Sequence, residues 1–245
     1  MYPIKEILRE VLIFLKLDLT RNLRYDRLSK EIISSYLRDG DNCIDIGAHE
    51  GQFLKLFLKC SPKGVHYAFE PIPSFFHKLT KRYSPVSKIL PYALGNTNGE
   101  SLFNYIKNAP SYSGLQRRKY KIKNPDIEVL SIQQRTLDSC IPENLHINLI
   151  KIDVEGGEYD VLRGAQRIIR ESNPLILFEC GMGASEYYGT KPEMVYNLLD
   201  THSYQIFALK DWLNGKKVMN QTAFLSCFST GEEYFFVAEK VRPIN

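Results

Sequence analysis

Residues 43–53 read Cys-Ile-Asp-Ile-Gly-Ala-His-Glu-Gly-Gln-Phe, CIDIGAHEGQF. A short apolar run carrying one acid stops at Gly47, and a second glycine follows at Gly51. The next stretch, Gln52–Lys59, sets Phe53, Leu54, Phe57 and Leu58 in an apolar stripe at helical spacing. Strand, tight turn and helix in that order open a parallel α/β sheet. The glycines allow a sharp turn and close approach of a ligand, and amides at the start of the helix can donate to it.

A dinucleotide-binding turn needs G-x-G-x-x-G, whose middle glycine makes room for a pyrophosphate. Position 49 is histidine instead, and Asp45 ahead of the loop would oppose a pyrophosphate but suit a cation. The loop, Gly47, Ala48, His49 and Gly51, therefore predicts a phosphate-free nucleoside cofactor with positive charge. S-adenosylmethionine, with its sulfonium and α-ammonium groups, fits. Read for structure alone, the same residues are a glycine turn.

Working outward, strands and helices alternate. Val65–Phe69 reads as a strand, Ser74–Tyr83 as a helix, and Lys88–Leu94 as a strand whose Pro91 predicts an edge position or a bulge. Glu100–Ile106 and Ile127–Ile132 read as strands around a polar, basic segment. Alternation resumes with strand Asn148–Val154, helix Tyr159–Arg170, strand Leu175–Cys180, helix Pro192–Thr201, and strands Tyr204–Leu209 and Tyr234–Glu239. The pattern predicts one doubly wound, mostly parallel sheet over residues 41–245, behind an N-terminal helical extension over 1–40.

In that extension Ile4, Ile7, Leu8, Val11, Leu12 and Leu15 fall at helical spacing. The helix would pack on the domain or on a second copy, leaving a homo-oligomer open, or touch a membrane surface. Its apolar run is too short to span a bilayer and no cleavage site follows it. Five scattered cysteines without C-x-x-C spacing predict neither a disulfide framework nor a zinc site, and favour a reducing, cytoplasmic setting. A net charge of +4 over 245 residues is too mild for a dedicated nucleic-acid binder, and no nucleic acid is expected.

Glu70 ends the second strand about twenty residues after the loop, where a doubly wound fold places a carboxylate for the ribose hydroxyls, and Pro71 closes the strand. At this point five segments stand in the order and spacing of the FkbM-type methyltransferases: CIDIGAHEG, AFEPIPSFF, LPYALGNTNGE, LIKIDVEGGEYDVLRGA and LILFECG. The chain resembles that family over about residues 41–183. The resemblance implies a class I fold with a seven-stranded sheet and methylation dependent on S-adenosylmethionine. The acceptor it implies is mostly a hydroxyl of a saccharide or related small molecule. Ala93 and Leu94, at the end of the third strand, would then flank the adenine.

Asp153 and Glu155 are alternate residues at a strand end, so a continuing strand would project both to one side, where paired carboxylates raise each other's pKa. Asp153 could hold cofactor or act as a base, or it could accept loop amides; Glu155 could act as a base or cap the following helix. Glu179 ends the next strand among apolar residues and suits acceptor contact or base work. Many relatives have a histidine after this glutamate; here it is Cys180, which leaves His49 as the nearest imidazole. The base stays open among Asp153, Glu155, Glu179 and His49. Carboxylate oxygens could also ligate a divalent cation, but no ligand spacing marks a site and no metal is assigned.

Ser111, Tyr112 and Ser113 resemble the family's serine-containing stretch above the cofactor and are candidate substrate contacts. Five cations between Arg117 and Lys123 read first as a solvated face, then as a grip for an anionic acceptor. Tyr187, Tyr188 and Trp212 read as loop aromatics that stack on a sugar or pack the surface. RNA methylation and non-catalytic cofactor binding are the alternative functions.

Overall fold

The computed structural model describes residues 12–13 and 18–240. The helix expected over Ile4–Leu15 lies outside them, apart from 12–13. Among the described residues no helix is long and apolar enough to cross a membrane.

Seven strands form the main sheet: β1 (Cys43–Ile46), β2 (His66–Phe69), β3 (Lys88–Leu90), β7 (Leu149–Ile152), β8 (Leu175–Glu179), β9 (Tyr204–Ala208) and β10 (Phe235–Lys240). Their order is β3-β2-β1-β7-β8-β10-β9. All neighbours are parallel except β10, which runs antiparallel to both β8 and β9. β1 and β7 are paired in register while the chain leaves β1 towards β2 on the other side. That reversal opens a crevice at their carboxyl ends, where doubly wound folds bind ligands.

Alternation along the strands sorts the core. Ile44, Ile46, Ile150, Ile152, Ile176, Phe178 and Phe236 face one layer. Cys43, Leu149, Leu175, Leu177 and Val237 face the other. The second layer is closed by α1 (Arg21–Tyr36) and α2 (Gln52–Cys60), with Ile32, Ile33 and Phe57 fully buried. Residues before position 41 thus contribute directly to the apolar layer of the sheet.

Four elements differ from the sequence reading. The strand expected over Lys88–Leu94 is divided at Pro91: β3 is the edge of the main sheet, and β4 (Tyr92–Leu94) joins a second sheet of order β4-β6-β5. β5 (Gly99–Ile106) and β6 (Ile127–Arg135) form its antiparallel arms. Proline cannot donate to a ladder, so the chain changes sheets there. The helix expected over Tyr159–Arg170 is two, Glu158–Arg163 and Gln166–Ser172, interrupted at Gly164, where a Cβ would stand 2.0 Å from the Gly95 carbonyl. Helices Leu209–Leu213 and Gln221–Thr230 were not expected. Trp212 lies on the first of these, buried, with its indole N–H donating to Glu239 at 2.8 Å, so it is not a loop aromatic.

Candidate active site

Above the carboxyl ends of the strands lies a cleft of about 820 Å³, walled by the β1–α2 loop, the ends of β2, β4, β7 and β8, the segment after β5, and α1. The loop enters through Gly47, at φ +74°. A Cβ on Gly47 would stand 1.9 Å from the carbonyl oxygen of Asp153, and one on Gly51 would stand 2.6 Å from Leu79. Packing against backbone thus demands glycine at 47, and the left-handed φ of +76° favours it at 51. His49 occupies the left-handed region itself, at φ +48°, so the missing glycine does not unfold the turn.

The amides of this loop are already committed. Gly47 N–H and Ala48 N–H both donate to the Phe69 carbonyl at 3.1 Å, and His49 N–H donates to Glu70 Oε2 at 2.8 Å. At the start of the following helix, Leu54 N–H donates to Asp45 Oδ2 at 3.1 Å. A pyrophosphate would need such donors free; at the start of the helix the Leu54 amide is taken by an internal cap, while Gln52 and Phe53 line the cleft.

Asp45 is fully buried and does not line the cleft, which corrects its reading as a charge facing the ligand. It pairs across the β1–β7 register with Lys151, at 3.5 Å. Lys151 is itself buried, donates to Gly47 O at 3.0 Å and stands 3.6 Å from Asp153. Burial works to lower its pKa, but the carboxylates of Asp153 and Asp45 outweigh that and raise it. Sequence reading missed Lys151, although a lone lysine in the apolar strand LIKI mirrors the lone acid in CIDI.

Glu70 is 3% exposed at the cleft wall, with Oε1 accepting from Ile72 N–H at 2.9 Å. Burial raises its carboxyl to about 7, against the backbone donors of Ile72 and His49 and the charge of Lys151; Asp45 adds to the rise. Pro71, Ala48, Ala93 and Leu94 line the same lobe, with Ile72 and Phe103 adding an apolar wall. The His49 ring packs on Phe75, with centroids 4.1 Å apart.

The Methyltransferase FkbM domain matches residues 45–206. The chain belongs to the FkbM methyltransferase family. It is 24% identical over 165 residues to the 2-O-methyltransferase NoeI of Sinorhizobium fredii, covering 60% of this chain and 66% of that protein. It is 26% identical over 160 residues to the hexuronic acid methyltransferase AglP of Haloferax volcanii, covering 64% of this chain and 63% of that one. The matches thus span just under two thirds of these relatives' own lengths. A solved structure of an FkbM methyltransferase from Methylobacillus flagellatus is 18% identical, with a TM-score of 0.48, covering 69% of this chain and 40% of that one.

The other half of the FkbM site is rich in carboxylates. β7 ends at Ile152 and Glu155 sits at φ +61°, so strand alternation does not set Asp153 beside Glu155; a turn does. Glu155 does not cap the following helix. Glu158, which the sequence reading passed over, takes Val154 N–H at 2.9 Å and Gly156 N–H at 3.2 Å. Burial raises Glu155 to about 8, with Asp153 adding to the rise and Arg118 opposing it. Glu179, at the end of β8, lines the cleft and is raised well above the ordinary carboxylate range by burial and by Asp153, Glu155 and Glu158.

Arg118 corrects the picture of a wholly solvated basic run. It turns inward to pair with Glu155, donates to Gly183 O at 3.2 Å and lies over the Tyr112 ring at 5.2 Å. Arg117, Lys119, Lys121 and Lys123 stay exposed. Ser111 and Tyr112 line the cleft; Ser113 does too, but its hydroxyl accepts Ile106 N–H at 3.0 Å and so holds the segment in place. Tyr187 does not line the cleft. Tyr188 does, and its hydroxyl accepts Leu115 N–H at 2.9 Å and Gln116 N–H at 3.3 Å, clamping the segment that carries Tyr112 and Arg118.

Tyr188→Phe frees both amides, and a net hydrogen bond contributes about 0.5–1.5 kcal/mol. Amide exchange at Leu115 and Gln116 is expected to quicken by about tenfold, with cofactor affinity unchanged. Exchange at the parental rate would remove the clamp.

Proposed function

We propose that this chain transfers a methyl group from S-adenosylmethionine to a hydroxyl of a saccharide-type acceptor. The observation that carries the cofactor is the commitment of the loop amides at 47, 48 and 49 to Phe69 and Glu70, which leaves an unphosphorylated nucleoside as the ligand the lobe suits. Glu70 holds the ribose hydroxyls, Ala93 and Leu94 flank the adenine, and Asp153 offers negative charge to a cationic amino-acid end. When bound, the cofactor supplies a methyl carbon on a sulfonium, open to in-line attack by an oxygen.

The protein's part is positioning, exclusion of water and custody of one proton. Glu179 is the base we assign, because Glu155 is tied to Arg118, Asp153 is 3.6 Å from Lys151, and the His49 ring packs on Phe75. Its raised pKa brings the carboxylate closer in basicity to a hydroxyl, a contribution of ~10²–10⁴-fold for a well-placed base. Transfer to oxygen is supported by likeness to the 2-O-methyltransferase NoeI, and a saccharide acceptor by likeness to the hexuronic acid methyltransferase AglP.

Calorimetric titration with S-adenosylhomocysteine beside NADH tests the cofactor, followed by transfer of labelled methyl to a glycoside panel. Binding of the first ligand alone is the expected result; retention of NADH alone by folded protein would sink the reading. The sign of the pH dependence follows from Glu70. Its carboxylate form accepts ribose hydroxyls, and protonation below about 7 removes an acceptor. S-adenosylhomocysteine should therefore bind about tenfold tighter at pH 8 than at pH 6, and Glu70→Gln should flatten that slope.

A further inference from the structure

We propose that α1 and the turn before β10 complete an acceptor subsite for a polyhydroxylated, saccharide-type ring, a proposal that rests on the methyl-transfer reading above. The family match ends at residue 206 and begins at 45, so both segments lie outside it. Yet both wall the cleft: α1 presents Asn22, Tyr25, Asp26 and Ser29 at one helical face, and the turn presents Gly231 and Tyr234.

This wall adjoins the carboxylate assigned as base. Phe235 is the register partner of Glu179, and Cys180 N–H donates to the Tyr234 carbonyl at 2.8 Å. The wall is also fixed in place. Tyr25 Oη donates to Glu233 at 2.6 Å, Arg24 pairs with Glu233 at 2.9 Å, and the Tyr234 hydroxyl donates to Asn22. The Tyr25 and Tyr234 rings meet edge to face, with centroids 4.7 Å apart.

Ser29 points to a ligand independently of that geometry. It is 1% exposed, lines the cleft, and its hydroxyl has no hydrogen-bond partner in the protein. A helical serine ordinarily bonds back to the preceding turn, and a buried polar group ordinarily has a partner. A ligand hydroxyl would supply one. Amide, carboxylate and hydroxyl groups beside the partly exposed Tyr234 ring match a sugar, whose hydroxyls both donate and accept and whose C–H faces pack on aromatics. The cleft's volume of about 820 Å³ sits towards the top of the ~300–1,000 Å³ usual for small-molecule sites. That leaves room for an acceptor beside a nucleoside.

The test uses the full chain saturated with S-adenosylhomocysteine, and p-nitrophenyl glucoside and p-nitrophenyl glucuronide as probes, followed by saturation-transfer NMR. At least one glycoside is expected to bind, about fivefold or more weakly in Ser29→Ala and in Asn22→Ala. S-adenosylhomocysteine affinity and melting temperature should stay at parental values in the serine variant. Unchanged glycoside binding in both variants overturns the proposal, as does binding of neither glycoside by the parent. Loss of S-adenosylhomocysteine rather than glycoside in Ser29→Ala also overturns it, since the hydroxyl would then serve the cofactor. Failure of the parent to bind S-adenosylhomocysteine is a separate outcome that removes the methyl-transfer reading beneath it.

Discussion

Glu70→Ala is expected to cost ~10²–10⁴-fold in affinity for S-adenosylhomocysteine while the chain still folds. Hydrogen bonds to a charged acceptor contribute about 1.5–3 kcal/mol each, and two ribose hydroxyls would lose theirs together. The loop loses an anchor as well, because Oε2 holds the His49 amide and Oε1 the Ile72 amide. Folding should survive because burial of this carboxylate is itself unfavourable, as its rise to about 7 records. Glu70→Gln keeps the shape and one acceptor oxygen and should fall between the two. Calorimetry reads all three proteins. An alanine variant binding within about tenfold of the parent would show that the ribose is held elsewhere.

The carboxylate at Glu70 was legible because its signal is local: an acid closing an apolar strand at a set distance from a glycine turn. The sheet was legible for a similar reason, since buried parallel strands such as CIDI, HYAF and LILFE are apolar runs bounded by turn residues. Asp45 was misplaced because its partner lies 106 residues away in the chain and becomes a neighbour only once β7 settles beside β1. Arg118 was hidden by its own neighbours. Within a run of five cations nothing in the composition singles out the one that turns inward, and the choice is made by Glu155 and Tyr112 in the folded cleft. Pro91 carried a true signal, a break in the ladder, but a second sheet waiting to take up β4 is a tertiary fact.

Lys151→Met should be the most damaging single change to stability. Methionine preserves much of the stem and removes the cation that pairs with Asp45, which is 0% exposed and keeps only the Leu54 N–H as a donor among the described contacts. Removing one partner of a buried pair costs about 3–5 kcal/mol, because the remaining charge is stranded. In a chain of this size that corresponds to a melting temperature lower by about 10 °C. The glycine loop should loosen too, since the ammonium also donates to the Gly47 carbonyl at 3.0 Å. Adding Asp45→Asn removes the stranded charge, so the double variant should recover part of the loss, a coupling that two independent positions would not give. The pH dependence has a definite sign. Burial already raises Asp45 above its ordinary 3.8, and loss of its cation raises it further. A carboxyl whose folded pKa exceeds its unfolded one destabilises as pH rises from the unfolded value through the folded one. The deficit of Lys151→Met should therefore be larger at pH 8 than at pH 5. Melting curves at both values decide it: a variant within about 2 °C of the parent at each pH would mean that the ion pair does not hold the loop.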